Sequence, residues 1–242
     1  MSDLSDERSM RIAVAFAREV VKGREAHLCA ACAGVLSVSG AGLSIMSEQH
    51  SGRMCVSNSR MEALEDIQFT LGVGPCQDAY STGVPLLVPR LDQVASARWP
   101  AFIAEAAAVG VHAVFAYPLT NRGAKVGVMT LYQDQPGALS QTQSADCLAI
   151  ADVLATTMLG LIAASPPGTM PALVDEAVAH RAEVHQATGM VSAQLDISVA
   201  DALARLRAYA YATDQSIRVV AADIVARRMR LDEDDGELRE DR

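Results

Sequence analysis

Cys76 lies in the stretch Leu71-Gly-Val-Gly-Pro-Cys-Gln-Asp78, and the Gly-Pro step before it predicts that its thiol sits in the first turn of a helix. Backbone N–H groups and the helix dipole favour a thiolate there, the nucleophilic form of the side chain. The same residues also read as a tight turn with a small buried filler, the common fate of an unpaired cysteine. Cys29-Ala-Ala-Cys32 has the spacing of a redox or metal motif. It lies in an alanine-rich helical segment, though, and a zinc site needs a second pair of ligands. Cys55 and Cys147 are isolated, so no metal site is expected, and Cys29 and Cys32 read as core positions on one helix face. His27, His50, His112, His180 and His185 fall in no HExxH, GxSxG or Walker-type context. His112, at a strand start, reads as a satisfied polar residue. No catalytic residue is assigned, and Cys76 is retained as a candidate sensor thiol.

A second group of side chains has a different chemistry. His180-Arg181, His185-Gln186, Arg205, Arg207, Tyr209, Tyr211, Arg218 and the trio Arg227-Arg228-Arg230 fall on polar faces of helical stretches. Guanidinium groups with interleaved tyrosines suit an RNA loop, whose splayed bases stack on aromatics while its phosphates pair with the cations. Within 171–230 all seven cations are arginine, balanced by seven acids. On charge alone, this neutral block reads rather as a solvated face with Glu183, Asp201 and Asp223 as ion-pair partners.

The elements that must carry these groups belong to a folding chain. Half of the 242 residues are apolar and 20% are charged, which suits a packed core. A net charge of −9 argues against a broad nucleic-acid-coating surface, not against a local basic face. Met1 to Arg11 carries five charged side chains and leads into no apolar h-region, so no secretory leader is expected. With five cysteines, an odd number, reduced thiols and a cytoplasmic location are expected rather than a disulfide framework. The apolar run from Ala145 to Ser165 contains Asp146 and Asp152 and reads as a buried helix, not a membrane span. Ser165-Pro-Pro-Gly-Thr-Met-Pro171 is a Pro/Gly-dense break. It divides the chain into a first domain over 8–165, a linker over 166–170, a second domain over 171–230 and an acidic tail over 231–242.

In the first domain, helical spacing over 8–35 precedes strand-like Gly40 to Met46 and Arg53 to Ser57, then a helix from Ser59 through Phe69. Leu86 to Val88 and His112 to Tyr117 read as strands with a helix between them around 99–109. Asn121-Arg-Gly123 is a hairpin turn before Ala124 to Tyr132, and a long helix from Ser140 to Ala164 closes the domain. The expected architecture is α+β, an antiparallel sheet with flanking helices. The second domain reads as three helices. The first runs from about Pro171 to Ala193, the second opens at the capping box Ser198-Val-Ala-Asp201, and the third is capped by Ser216. Its small Ala, Leu and Val core is marginal alone and should lean on a partner.

Leu36-Ser-Val-Ser-Gly-Ala-Gly-Leu43, Leu71 to Asp78, Arg98-Trp-Pro100, and Tyr117-Pro-Leu119 before Gly127-Val-Met-Thr-Leu131 together resemble the GAF domains of actinobacterial regulators. The resemblance implies a sensor with a pocket between the sheet and the segment 55–110, taking an unidentified small-molecule ligand and an unknown cofactor, if any. Some relatives of that kind are free methionine sulfoxide reductases, which keeps open an alternative as a thiol redox sensor or reductase using Cys76. Arg181-Ala-Glu-Val-His-Gln-Ala-Thr-Gly-Met190, Ser198 with Asp201-Ala202, Leu206-Arg-Ala-Tyr-Ala210 and Val220-Ala-Ala-Asp-Ile-Val225 resemble the ANTAR domain. That family consists of three-helix RNA-binding output modules of transcription antitermination regulators. The resemblance implies a non-enzymatic regulator that binds paired RNA hairpins, generally as a homodimer, with no membrane partner. It places the RNA face on Arg181, Gln186, Arg207 and Tyr211, and the polar-face reading adds Arg218. Where many such domains have Ala-Lys-Gly, this chain has Ala187-Thr188-Gly189, without that cation. A DNA-binding transcription factor is the further alternative, since three short helices also form helix-turn-helix units.

Overall fold

The computed structural model describes residues 25–46, 51–94, 98–164, 182–213 and 215–231. Helix α1 (Glu25–Leu36) leads into β1 (Gly40–Met46) and β2 (Ser51–Val56). Helices α2 (Ser59–Leu71) and α3 (Pro75–Thr82) follow, then β3 (Leu86–Val88), a single 3-10 turn and α4 (Pro100–Ala108). The hairpin β4 (Ala113–Asn121) and β5 (Ala124–Gln133) precedes the long α5 (Gln141–Ala164). The strands form one antiparallel sheet in the order β2-β1-β5-β4-β3. The elements predicted over 40–164 are these, with boundaries moved by a few residues, and the sheet is covered on both faces; the part of the predicted helical stretch over 8–24 lies outside the described residues.

Alternation along the strands decides what each face packs against. Leu43, Ile45, Phe115, Tyr117, Leu119, Met129 and Leu131 point to one side, where α1 and α5 bury Leu28, Leu36, Ile150 and Leu154 on them. On the opposite face Val114 and Tyr132 meet Met61, Leu64 and Phe102, from α2 and α4, and Met46, Ala116 and Val128 meet Cys76 and Ala79 of α3. Helix α5 is long and apolar enough to cross a membrane by length and composition. It packs one stripe, including the buried Asp146, against the sheet, and leaves Leu148 half exposed on the other.

The cysteines depart from expectation. Cys29 of α1 and Cys55 of β2 are joined by a disulfide, with Cα atoms 5.9 Å apart. The expectation of reduced thiols, with Cys55 isolated, is therefore corrected for this pair. Twenty-six residues separate them in sequence, and only the return of the chain along β2 beneath α1 brings them together, which spacing alone does not reveal. Cys32, on the same helix, faces inward with its thiol 3.9 Å from Met129 Sδ.

Residues 165–181, which hold the expected linker and the first part of the helix expected from Pro171, lie outside the described residues; α6 (Ala182–Leu195), α7 (Val199–Ala212) and α8 (Ile217–Val225) follow. Ser198 caps α7 as the sequence predicts: its Oγ accepts from the Asp201 amide and donates to Asp201 Oδ2. Ser216 caps α8 by accepting from the Arg218 amide. Val184, Ala187, Val191, Ala202, Leu206, Ala210, Val220 and Ile224 form the bundle core, closed at one end by Leu231. One member of that core is foreign to the bundle: Phe69, from α2 of the first domain, is 3% exposed and packs among these residues.

Candidate functional site

Helix α2 serves two sites. Its middle faces the sheet, where Glu65 and Gln68 are buried beneath β1 and α3. Ser44 Oγ donates to Glu65 Oε2 at 2.7 Å, and Gln68 Oε1 accepts from the Cys76 amide at 2.8 Å. Gln68 thereby satisfies a backbone donor at the start of α3, one of the groups that a helix N-terminus leaves without an internal partner. These residues surround a hollow of about 10 Å³ that Met46, Cys76 and Gln77 also line. It lies between the sheet and the segment 55–110, where the sequence placed the sensor pocket.

The C-terminal end of α2 meets the bundle. The helix stops at Gly72, whose φ of 67° is the left-handed conformation that ends many helices. The Gly72 amide returns to Gln68 O, and Phe69 O lies in the last turn of the helix, where carbonyls take partners from outside it. Arg207 of α7 is such a partner: its Nε donates to Phe69 O at 2.9 Å, and its guanidinium lies 5.6 Å from the centroid of the Phe69 ring. A cation at a helix C-terminus is stabilised by the dipole as well as by the hydrogen bond, and the ring adds a cation–π contact. A Cβ at Gly72 would stand 2.7 Å from Arg207 Nη1, so a side chain there would push the guanidinium from its present position. Beside it, Ser216, Ile217 and Arg218 of the bundle face Arg53, Asp66 and Thr70 across a second small hollow. Arg53 is held on its own side by Glu62 at 2.7 Å and Asp66 at 3.4 Å.

Of the residues the sequence assigned to RNA, Arg207 and Arg218 thus lie along the seam between the domains. Tyr211, one turn beyond Arg207 on α7, is 57% exposed, and Gln186 is exposed on α6. Arg181 lies outside the described residues. Thr188 is buried, and its hydroxyl donates to Val184 O at 2.7 Å. That position faces the bundle interior, so no cation stands there toward a phosphate. Cys76 is buried, with its thiol 3.8 Å from Met46 Sδ. Burial pushes the thiols of Cys32 and Cys147 up to about 12, Cys32 further by its neighbour Cys147, although a hydrogen bond from Tyr117 opposes the shift at Cys147. Among the described residues no group of three or more His, Cys, Asp or Glu side chains is arranged to hold a metal ion. Phe69, Gly72 and the buried pair Glu65 and Gln68 were missed by the sequence reading. The Gly72-x-Gly74 step after a helical run marked the turn but gave no sign of what docks there.

The described residues form a five-stranded antiparallel sheet with flanking helices, followed by a three-helix bundle. The GAF domain model matches residues 24–157, more than half of the chain, and the chain belongs to that family. Residues 173–225 match the ANTAR domain. No curated protein matches the chain. Among solved structures it is similar to the GAF domain of a phosphoenolpyruvate-protein phosphotransferase from Coxiella burnetii. The identity there is 14%, over 65% of this chain and 96% of that one, with a TM-score of 0.49. It is also similar to a type II free methionine-R-sulfoxide reductase from Thermoplasma acidophilum, at 16% identity over 54% of this chain and 89% of that one, with a TM-score of 0.39.

Proposed function

We propose that this protein is a cytoplasmic, signal-responsive RNA-binding regulator that controls transcription termination and antitermination. Its ANTAR domain binds paired RNA hairpins, its GAF domain gates that binding in response to a small molecule, and it works as a homodimer. The observation that supports gating is the seam at Phe69. Arg207, which the ANTAR resemblance assigns to RNA, donates through Nε to the sensor, and an aromatic of the sensor packs in the output core. RNA that uses Arg207 must compete with this docked arrangement. A ligand that favours the undocked arrangement raises RNA affinity by its differential affinity for the two states, and by no more than that. The burial of Cys76 favours a sensor over a thiol enzyme.

The experiment is a titration of the full chain with a tandem-hairpin RNA at two salt concentrations, against scrambled RNA and duplex DNA. The reading expects preference for the hairpins, weakening by roughly 0.7–0.9 log units per log unit of salt for each phosphate engaged. Preference for duplex DNA would replace it with the transcription-factor reading.

A further inference from the structure

Four polar side chains are buried together on the α2 face of the sheet: Ser44, Glu65, Gln68 and Thr130 are each at most 3% exposed. Each of the two larger ones is satisfied on one side only. Glu65 Oε2 takes the Ser44 hydroxyl while Oε1 has no partner; Gln68 Oε1 takes the Cys76 amide while Nε2 has none. Thr130 Oγ1 is a third buried atom without a partner. The register sets Thr130 opposite Gly42, and directly opposed residues of antiparallel strands point to the same face. A Cβ at Gly42 would lie 2.8 Å from Met61 Cε and 3.5 Å from Glu65 Oε1, so the Met61 side chain covers that position and Thr130 stands outside the hollow. Leaving such groups unpaired costs about 1–3 kcal/mol each, and Glu65 and Gln68 bring two of them to the lining of one hollow.

We propose that this cluster is the ligand-recognition site of the sensor, and that it takes a small molecule presenting a carboxamide-like edge, an N–H beside a C=O. Glu65 Oε1 accepts the N–H and Gln68 Nε2 donates to the C=O. The inference rests on reading the GAF domain as the sensor. The chemistry follows from the donor and acceptor inventory. An ionised carboxylate offers acceptors only, and the bare nitrogen of Gln68 offers donors only, so a ligand with donors alone or acceptors alone leaves one of them unpaired. No Lys, Arg or His lines the hollow, so a phosphate or carboxylate finds no counter-charge and meets Glu65 instead. Met46 and Cys76 supply a polarisable apolar wall. Gln68 is joined directly to Phe69, so a ligand that draws on the Gln68 side chain acts one residue away from the Arg207 dock.

The test uses three small probes on the ¹⁵N-labelled full chain: acetamide, which carries the whole edge, acetate, which has acceptors only, and N,N-dimethylacetamide, which has lost its N–H groups. Saturable movement of the Gln68 side-chain amide signals with acetamide, at least tenfold weaker with the other two, is the expected result. Glu65→Gln sets an N–H in place of an acceptor and abolishes the acetamide response, whereas Cys76→Ala, which leaves the donor and acceptor set intact, keeps it. Equal response to all three probes, or none to acetamide while the wild-type fold persists, overturns the proposal. Neither result bears on RNA binding by the ANTAR domain, which the hairpin titration decides separately.

Discussion

Arg207 Nε donates to the Phe69 carbonyl at 2.9 Å, so a side chain of the output bundle closes the last turn of a sensor helix. The contact joins a helix that ends at a left-handed glycine to a guanidinium aligned with a carbonyl of its last turn. It engages, within the chain, the cation that the proposed function assigns to RNA.

Gly72→Ala is expected to break this contact while leaving the Arg207 and Tyr211 side chains in the sequence. The positive φ costs alanine about 1–3 kcal/mol, and its Cβ intrudes on Arg207 Nη1. Faster amide exchange in α7 is expected, together with hairpin affinity raised several-fold in the full chain. Faster exchange with unchanged affinity would show that the dock does not gate.

Phe69→Ala removes a ring that fills the bundle core from outside it. Truncations of this kind cost about 3–5 kcal/mol, a large share of a domain's stability. Trp99, the single tryptophan, reports on the sensor, and helical circular dichroism weighs the bundle. In the wild type the two should melt together; in the variant the bundle should melt first. Coincident, unshifted transitions would contradict the packing role.

Tyr211 is exposed and one turn from Arg207. Tyr211→Ala should leave stability within about 0.5 kcal/mol, as exposed substitutions do. Loss of base stacking should cost about 1–3 kcal/mol in RNA affinity. A filter-binding titration beside a melting curve reads both.

Thiol counting checks the cysteine arrangement. With Cys32, Cys76 and Cys147 buried and Cys29 bonded to Cys55, the native chain should react slowly with an aromatic disulfide reagent. Three thiols should appear in denaturant and five after reduction. Reduction should lower stability by about 3 kcal/mol, the loop-closure entropy of the crosslinked segment.

The raised thiols fix a pH dependence. The folded state holds the protons of Cys32 and Cys147 more tightly than the unfolded state does. Their contribution is complete below pH 9.0 and lost as pH rises from there toward about 12. Stability measured between pH 9 and 11 should fall, and Cys147→Ala should flatten that fall.

The strands and helices were legible because each has a local cause: alternation in β4 and β5, the Asn121-Arg-Gly123 turn, and Ser198 and Ser216 as caps. The disulfide and the seam were not. Cys29 and Cys55, or Phe69 and Arg207, meet only once the chain has folded back over 26 and 138 residues respectively, and nothing in their flanking residues records the encounter. Thr188 shows the converse. It stands where the resemblance has a lysine, yet it is buried, because a hydroxyl on a helix satisfies itself on the preceding turn.

Phe69 belongs by covalent chain to one domain and by packing to another. This makes the sensor a poor interchangeable part. A different GAF domain spliced ahead of this bundle would leave a gap where the ring was and a guanidinium without its carbonyl. A functional chimera would need to import an aromatic and a glycine three residues after it, as in Phe69-Thr-Leu-Gly72.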